Sequence, residues 1–165
     1  MPDWSPDGSK IAFTTKKEDN LVISDINGQV LSSIEPAFKV RPSDLRTRMS
    51  EIRWEPSGNR LAFIYNGKLY MVNVDGSNLR ALEFQGFDED IRINSFAWAP
   101  SGNRFVFRST YKAGEICSYH IDYLLGPRPL PCIQGYHLFT SNIDGSKLKR
   151  ITSDPEYRKS ELHWI

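Results

Sequence analysis

Short apolar runs, rich in aromatic and branched residues, recur along the chain between turn-forming residues. Ile11 to Phe13, Leu61 to Tyr65 and Phe105 to Phe107 are the clearest of them. Runs of this length between turn signals predict strands buried on both faces. Each is preceded by a Pro and a Gly two residues apart: Pro6 and Gly8, Pro56 and Gly58, Pro100 and Gly102. Proline presets φ and glycine supplies a positive φ without steric cost, so each pair predicts a tight reversal. Asn27-Gly28, Asp75-Gly76, Asp144-Gly145 and Asn66-Gly67 predict further hairpins, by preference two-residue type I′ turns.

These features belong to one repeat. Trp4-Ser5-Pro6-Asp7-Gly8 leads into Lys10-Ile11-Ala12-Phe13. Trp54-Glu55-Pro56-Ser57-Gly58 leads into Arg60-Leu61-Ala62-Phe63, and Trp98-Ala99-Pro100-Ser101-Gly102 into Arg104-Phe105-Val106-Phe107. A fourth Trp, Trp164, stands next to the last residue. A second half-motif follows each complete first half and ends at Gly28, Gly76 and Gly145; Leu31, Leu79 and Leu148 lie three residues beyond, and Ile34, Leu82 and Ile151 six beyond. Each unit therefore predicts a four-stranded antiparallel meander with a period of about 44 residues, that of a β-propeller blade. The fold expected is all-β, with about three blades over 1–35, 50–83 and 92–152 and a strand over 159–165 that begins a further blade.

Trp4-Ser5-Pro6-Asp7-Gly8 with Lys10-Ile11-Ala12-Phe13, and Asp144-Gly145-Ser146-Lys147-Leu148 running on to Pro155, resemble the WD-like repeat of TolB-type β-propellers. The resemblance covers nearly the whole chain. It departs at Glu55 and Ala99, where the first unit has Ser5, and at Ser57 and Ser101, where it has Asp7. These positions are expected to face solvent in the turns. The resemblance implies a periplasmic scaffold that contacts protein partners, and so an extracytoplasmic location. Similar repeats also stand beside hydrolase domains in prolyl-peptidase-like and tricorn-like proteins, so the repeat implies a scaffold and no particular reaction.

Three blades do not close a ring, since propellers have four to eight. Either the chain is part of a longer protein or two copies close into a six-bladed ring. In the second case the strand from Ser160 to Ile165 would add to the other copy's first unit, with Trp4 and Trp164 competing for one slot. The two ends of the blades also differ. The Pro-x-Gly and Asp-Gly turns repeat strictly at one end, while the connections at the other are irregular: about Glu35 to Ser50, a stretch holding Phe84, Phe87 and Asp88-Glu89-Asp90, and an insertion from about Ser109 to Gly135. Irregular loops on a rigid scaffold are where binding concentrates.

Composition narrows the function classes. The 165 residues carry a formal charge of +1, with 25% charged residues. Such a neutral chain is not built to coat nucleic acid or an anionic membrane. No apolar run is long enough for a membrane helix, and MPDWSPDGSK has neither the basic nor the apolar region of a signal peptide. No phosphate loop, HExxH, dinucleotide fingerprint or G-x-S-x-G elbow is present. Ser118, His120 and Asp122 alternate along one stretch, a spacing that does not set a base against a nucleophile. Cys117, His120 and Cys132 offer three metal ligands without a fourth. The alternatives for the cysteines are a disulfide closing a loop of about 15 residues or two reduced thiols. The Gly126 to Pro131 segment between them cannot form a helix. His137 and His163 are expected to be structural, and Lys39, Arg41, Arg46, Arg48 and Arg53 are interrupted by acids.

The function expected is a non-catalytic module that needs no cofactor or metal and binds a protein or peptide through the irregular end. Phe38, Arg46, Arg48, Tyr111, Tyr119 and Tyr123 are the candidate contacts, because Tyr and Arg are enriched at binding hot spots. The alternative is a propeller domain gating a peptidase or hydrolase domain.

Overall fold

A computed structural model describes residues 2–15, 20–35, 49–85, 92–111, 119–122, 126–129 and 135–152. Every regular element among them is a β-strand. Unit one contains β1 (Asp3–Trp4), β2 (Lys10–Thr14), β3 (Leu21–Asp25) and β4 (Val30–Ile34). Unit two contains β5 (Met49–Trp54), β6 (Arg60–Tyr65), β7 (Lys68–Asn73) and β8 (Arg80–Ala81). Unit three contains β9 (Arg92–Trp98), β10 (Arg104–Tyr111), β13 (Gly135–Asn142) and β14 (Lys149–Arg150). Each unit is a four-stranded antiparallel meander whose strands pair in chain order. The insertion of unit three carries a separate two-stranded sheet, β11 (Tyr119–Asp122) with β12 (Gly126–Pro129). Part of the proline-rich segment is thus a strand with no second neighbour among the described residues, a place that tolerates residues lacking an N–H.

The units stack face to face, and the core lies between them. Ala12, Leu21, Ile23 and Ile34 of unit one meet Trp54, Leu61, Phe63, Tyr70 and Val72 of unit two. The opposite face of unit two, with Ala62, Ile64, Leu69 and Met71, meets Phe96, Trp98, Phe105 and Phe107. Alternation along the strands makes this possible: successive side chains of β6 enter different cores. Unit two is accordingly buried on both faces. In β2 only Ala12 is fully buried, because the side of unit one away from unit two is not covered. Among the three apolar runs burial on both faces therefore holds for Leu61 to Tyr65 alone, although in unit one β3 is buried from Leu21 to Ser24.

The motif tryptophans stitch the stack. Trp54 Nε1 donates to the carbonyl of Asp3 at 3.2 Å, and Trp98 Nε1 to that of Arg53 at 3.3 Å. In both cases the acceptor is the residue before the preceding unit's Trp. Carboxylates reinforce the seams: Asp3 Oδ2 accepts the Trp54 N–H and Glu51 Oε2 the Phe96 N–H, each at 2.8 Å. Glu51 reaches unit three from an irregular stretch of β5, where the pairing with β6 shifts between Ser50 and Arg53. Its φ of 47° lies in the left-handed region.

The turns differ from the simplest expectation. Asn66-Gly67 is a two-residue turn with φ of 49° and 75°, as type I′ requires. In the Asn27-Gly28, Asp75-Gly76 and Asp144-Gly145 turns only the glycine has positive φ. There the Gly N–H reaches the carbonyl three residues back, as from Gly28 to Asp25 at 3.2 Å, and the Asp25 N–H reaches Gln29 O at 3.0 Å. These are three-residue loops, a type I turn followed by a left-handed glycine. At the Pro-x-Gly turns Ser57, Ser101 and Asp7 are exposed as expected, but Ser5, Glu55 and Ala99 are buried. Their backbone groups close the turn, so their side chains lie beneath it rather than in solvent.

Candidate binding site at the loop end

The strictly repeated end has its polar groups consumed locally. Ser5 Oγ donates to Asp7 Oδ1 at 2.6 Å and accepts the Lys10 N–H at 2.8 Å. That hydroxyl first, then the Ser9 N–H and hydroxyl, hold the Asp7 carboxyl well below the usual carboxylate range. Ser77 lowers Asp75 in the same way, and Ser146, with the more distant charge of Arg80, lowers Asp144. In unit two Glu55 takes the place of Ser5. Arg60 grips it in a bidentate pair, with Nε at 2.9 Å from Oε2, and the Ser57 hydroxyl adds a third bond at 2.9 Å. Burial pushes the Glu55 carboxyl up, but the Arg60 and Ser57 bonds and the Arg60 charge outweigh it, and the net direction is down. These carboxylates build turns and leave little capacity for a ligand.

The opposite end is open. A cleft of about 190 Å³ lies there between units two and three, lined by Ser50, Ile64, Asn66, Gly67, Arg92, Ile93 and Asn94. Ile64 and Ile93 lie buried beneath it, and the surface it presents is almost wholly polar, with Ser50, Asn66, Arg92 and Asn94 exposed. The Asn66-Gly67 turn builds one wall. A Cβ at Gly67 would lie 3.0 Å from Arg92 Cγ, so the absence of a side chain lets the Arg92 stem lie against the turn. The Ile93 N–H donates to Gly67 O at 2.8 Å and Ser109 Oγ to Arg92 O at 3.0 Å, which fixes the start of β9. Asn94 sits at an irregularity in β9, where the pairing with β10 shifts. The cleft offers amide, hydroxyl and guanidinium groups suited to peptide carbonyls and carboxylates.

The residues expected from the sequence are placed unevenly. Tyr111 ends β10 opposite Gly135, and Tyr119 begins β11 opposite Pro129. Both belong to the unit-three connection that leaves from the loop end. Phe38, Arg46, Arg48 and Tyr123 lie outside the described residues, as do Lys39, Arg41, Asp88 to Asp90, Cys117, Ser118, Cys132, His163 and the strand at 159–165. His120 and Asp122 pair along β11 with Arg128 and Gly126. Phe84 belongs to the core, its ring centroid 4.8 Å from that of Phe107. His137 is buried, its Nδ1 3.1 Å from Thr152 Oγ1, and the same hydroxyl accepts the Leu138 N–H at 3.1 Å. Arg53 is a seam residue through its carbonyl. Among the described residues no group of His, Cys, Asp and Glu is arranged to hold a metal ion. The cleft residues Ser50, Arg92 and Asn94 carry no motif. Their signal in the sequence is indirect: each lies four to six residues before a motif Trp, where strand a emerges from an irregular connection.

No protein-family model matches the sequence, and no curated protein matches it. Solved structures do match. A protein assigned as TolB from Agrobacterium tumefaciens aligns over 89% of this chain and 46% of its own, at 19% identity and a TM-score of 0.57. The tricorn protease aligns over 89% of this chain and 12% of its own, at 14% identity and a TM-score of 0.57. A chain of the nidogen/laminin complex aligns over 89% of this chain and 45% of its own, at 12% identity and a TM-score of 0.52. The fold is a TolB-like partial β-propeller, and the chain spans less than half the length of each of these proteins.

Proposed function

We propose that the chain is a non-catalytic propeller scaffold that binds a protein or peptide partner through its loop end, in an extracytoplasmic setting. The observation that carries this reading is the contrast between the two ends. Carboxylates at the turn end are tied into turns, whereas the loop end presents a polar cleft with exposed amide, hydroxyl and guanidinium groups. Tyr111 and Tyr119 lie on strands of the unit-three connection, and Phe38, Arg46, Arg48 and Tyr123 are proposed as further contacts from the sequence alone. Two of the solved relatives are described by partner or class: one is a nidogen/laminin complex and one is a protease. The second favours the alternative role, a propeller domain beside a hydrolase domain. A second copy of the chain is the partner proposed to complete the ring.

A displayed peptide library selected on the immobilised chain tests the leading role. Enriched peptides should lose at least tenfold in affinity with Arg92→Ala or Tyr119→Ala, and keep it with Asp75→Asn at the turn end. The opposite pattern assigns binding to the wrong end.

A further inference from the structure

Among the described residues the stack ends in two uncovered faces, and the two interior seams show what would cover them. At each seam the later unit contributes its Trp, and the earlier unit a branched residue from beyond its last Gly. Trp54 and Trp98 are 6% and 8% exposed, while Trp4, in the same place on unit one, is 57% exposed. Ile34 and Leu82 are buried against the following unit, while Ile151, their counterpart on unit three, is 54% exposed. Ile26 and Leu31 beside Trp4 are likewise exposed, although their counterparts Val74 and Leu79 pack against the core between units one and two. The uncovered residues are therefore the two halves of one interface, separated onto opposite ends of the arc.

The halves also match in polar groups. The carbonyl of Ala97 holds the place of Asp3 and Arg53, which accept the tryptophan indoles at the interior seams. Arg108 holds the place of Ile64 on the trailing face, and its Nε is enclosed without a hydrogen-bond partner among the described residues. On the leading face Thr15, in the place of Tyr65, has its Oγ1 enclosed in the same way. Both atoms are already closed off within a single chain, so neither is on offer to a second copy, and the match rests on the Ala97 carbonyl and the exposed apolar residues.

We propose that unit three of a second copy docks on unit one as unit one docks on unit two, and the reverse, so that two copies close one six-unit ring about a two-fold axis. This rests on the reading of a second copy as a partner, and it names the seam. A contact between different faces can close when rotation brings the chain back on itself, and six units fall within the propeller range. Two spans of 46% approach one length of the TolB structure. β1 already pairs with β2 through Asp3↔Ala12 and Trp4↔Ile11, so this seam keeps Trp4 in place and needs no exchanged strand.

Sedimentation equilibrium of the 165-residue chain at tens of micromolar is the test, with Trp4→Glu and Ile151→Glu beside it. The wild type should have twice its chain mass of 18.9 kDa. Each variant should weaken association at least tenfold, with an unchanged strand signal in circular dichroism. An equimolar mixture of the two should associate again, because the trailing face of one and the leading face of the other remain intact. That rescue cannot come from chains that have failed to fold. A folded wild-type monomer rejects both the second copy and the seam, and leaves the free faces to further blades of a longer polypeptide. A dimer that survives both substitutions keeps the second copy and rejects this seam. Peptide binding at the loop end is measured separately and stands or falls apart from either result.

Discussion

Glycines in equivalent turns separate backbone cost from packing cost. Gly28 and Gly145 end the same half-motif and have φ of 86° and 83°. A Cβ at Gly28 would meet nothing within 4 Å, whereas one at Gly145 would lie 1.9 Å from the carbonyl oxygen of Glu83. Gly28→Ala should therefore cost only the left-handed penalty, about 1 kcal/mol. Gly145→Ala must also displace backbone of unit two, and should cost about 3 kcal/mol or more in denaturant unfolding. Equal losses would show that the turn of unit three does not press on unit two. Glu55 supplies a second prediction. Its folded value lies below the ordinary 4.5, so its contribution is present above that pH and is lost as pH falls through the folded value. Glu55→Gln should be less stable than wild type at neutral pH, and the gap should narrow as pH falls below 4.5. A constant gap across that range would remove Glu55 from the acid response. The sequence made the glycines and the Trp-Pro-Gly frame legible because φ and periodicity are local properties. It did not reveal that Glu55 is buried, since that depends on which side of the turn the neighbouring unit covers.

At the scale of elements, strand a joins the units. Its last residues combine an indole hydrogen bond with a carboxylate accepting a backbone N–H from the following unit. Trp98→Phe removes the donor to Arg53 O and one ring of a buried indole, so it should cost more than one neutral hydrogen bond, about 2 kcal/mol or more. At Glu51 two effects oppose each other. The carboxylate bond to the Phe96 N–H stabilises the seam, and the positive φ strains the residue. Glu51→Ala loses the bond and keeps the strain, whereas Glu51→Gly loses the bond and relieves it. Unfolding midpoints should rank wild type above Gly and Gly above Ala, with the two variants about 1 kcal/mol apart. If the glycine variant exceeds wild type, the strain outweighs the bond. Strand number and order were legible from the repeat, because turn residues mark every reversal. The irregular pairing of β5 and the cleft it helps to shape were not, because Ser50, Arg92 and Asn94 are ordinary strand and loop residues until two units abut. The candidate contacts on the long loops were chosen by residue type alone, and only Tyr111 and Tyr119 fall on described strands.

At the scale of the molecule, stability is graded along the arc. Among the described residues unit two has apolar cores on both faces, and units one and three each have one. Local opening is cheapest where the fewest buried contacts are lost. Amides of β6 and β7 should therefore exchange slowest in hydrogen-exchange measurements, and those of β2, β3 and β13 faster. Ring closure changes the ranking in a specific way. Binding that engages only the folded form raises its stability with concentration, and here the gain falls on the units whose free faces become covered. Raising protein concentration should slow exchange in β2, β3 and β13 while leaving β6 and β7 nearly unchanged, because the middle unit is already enclosed. Trp4→Glu should abolish the concentration dependence and leave the dilute-limit rates of β6 and β7 intact. Protection that is uniform across the three sheets and independent of concentration would mean that the arc opens as one body and that its end faces meet no second copy.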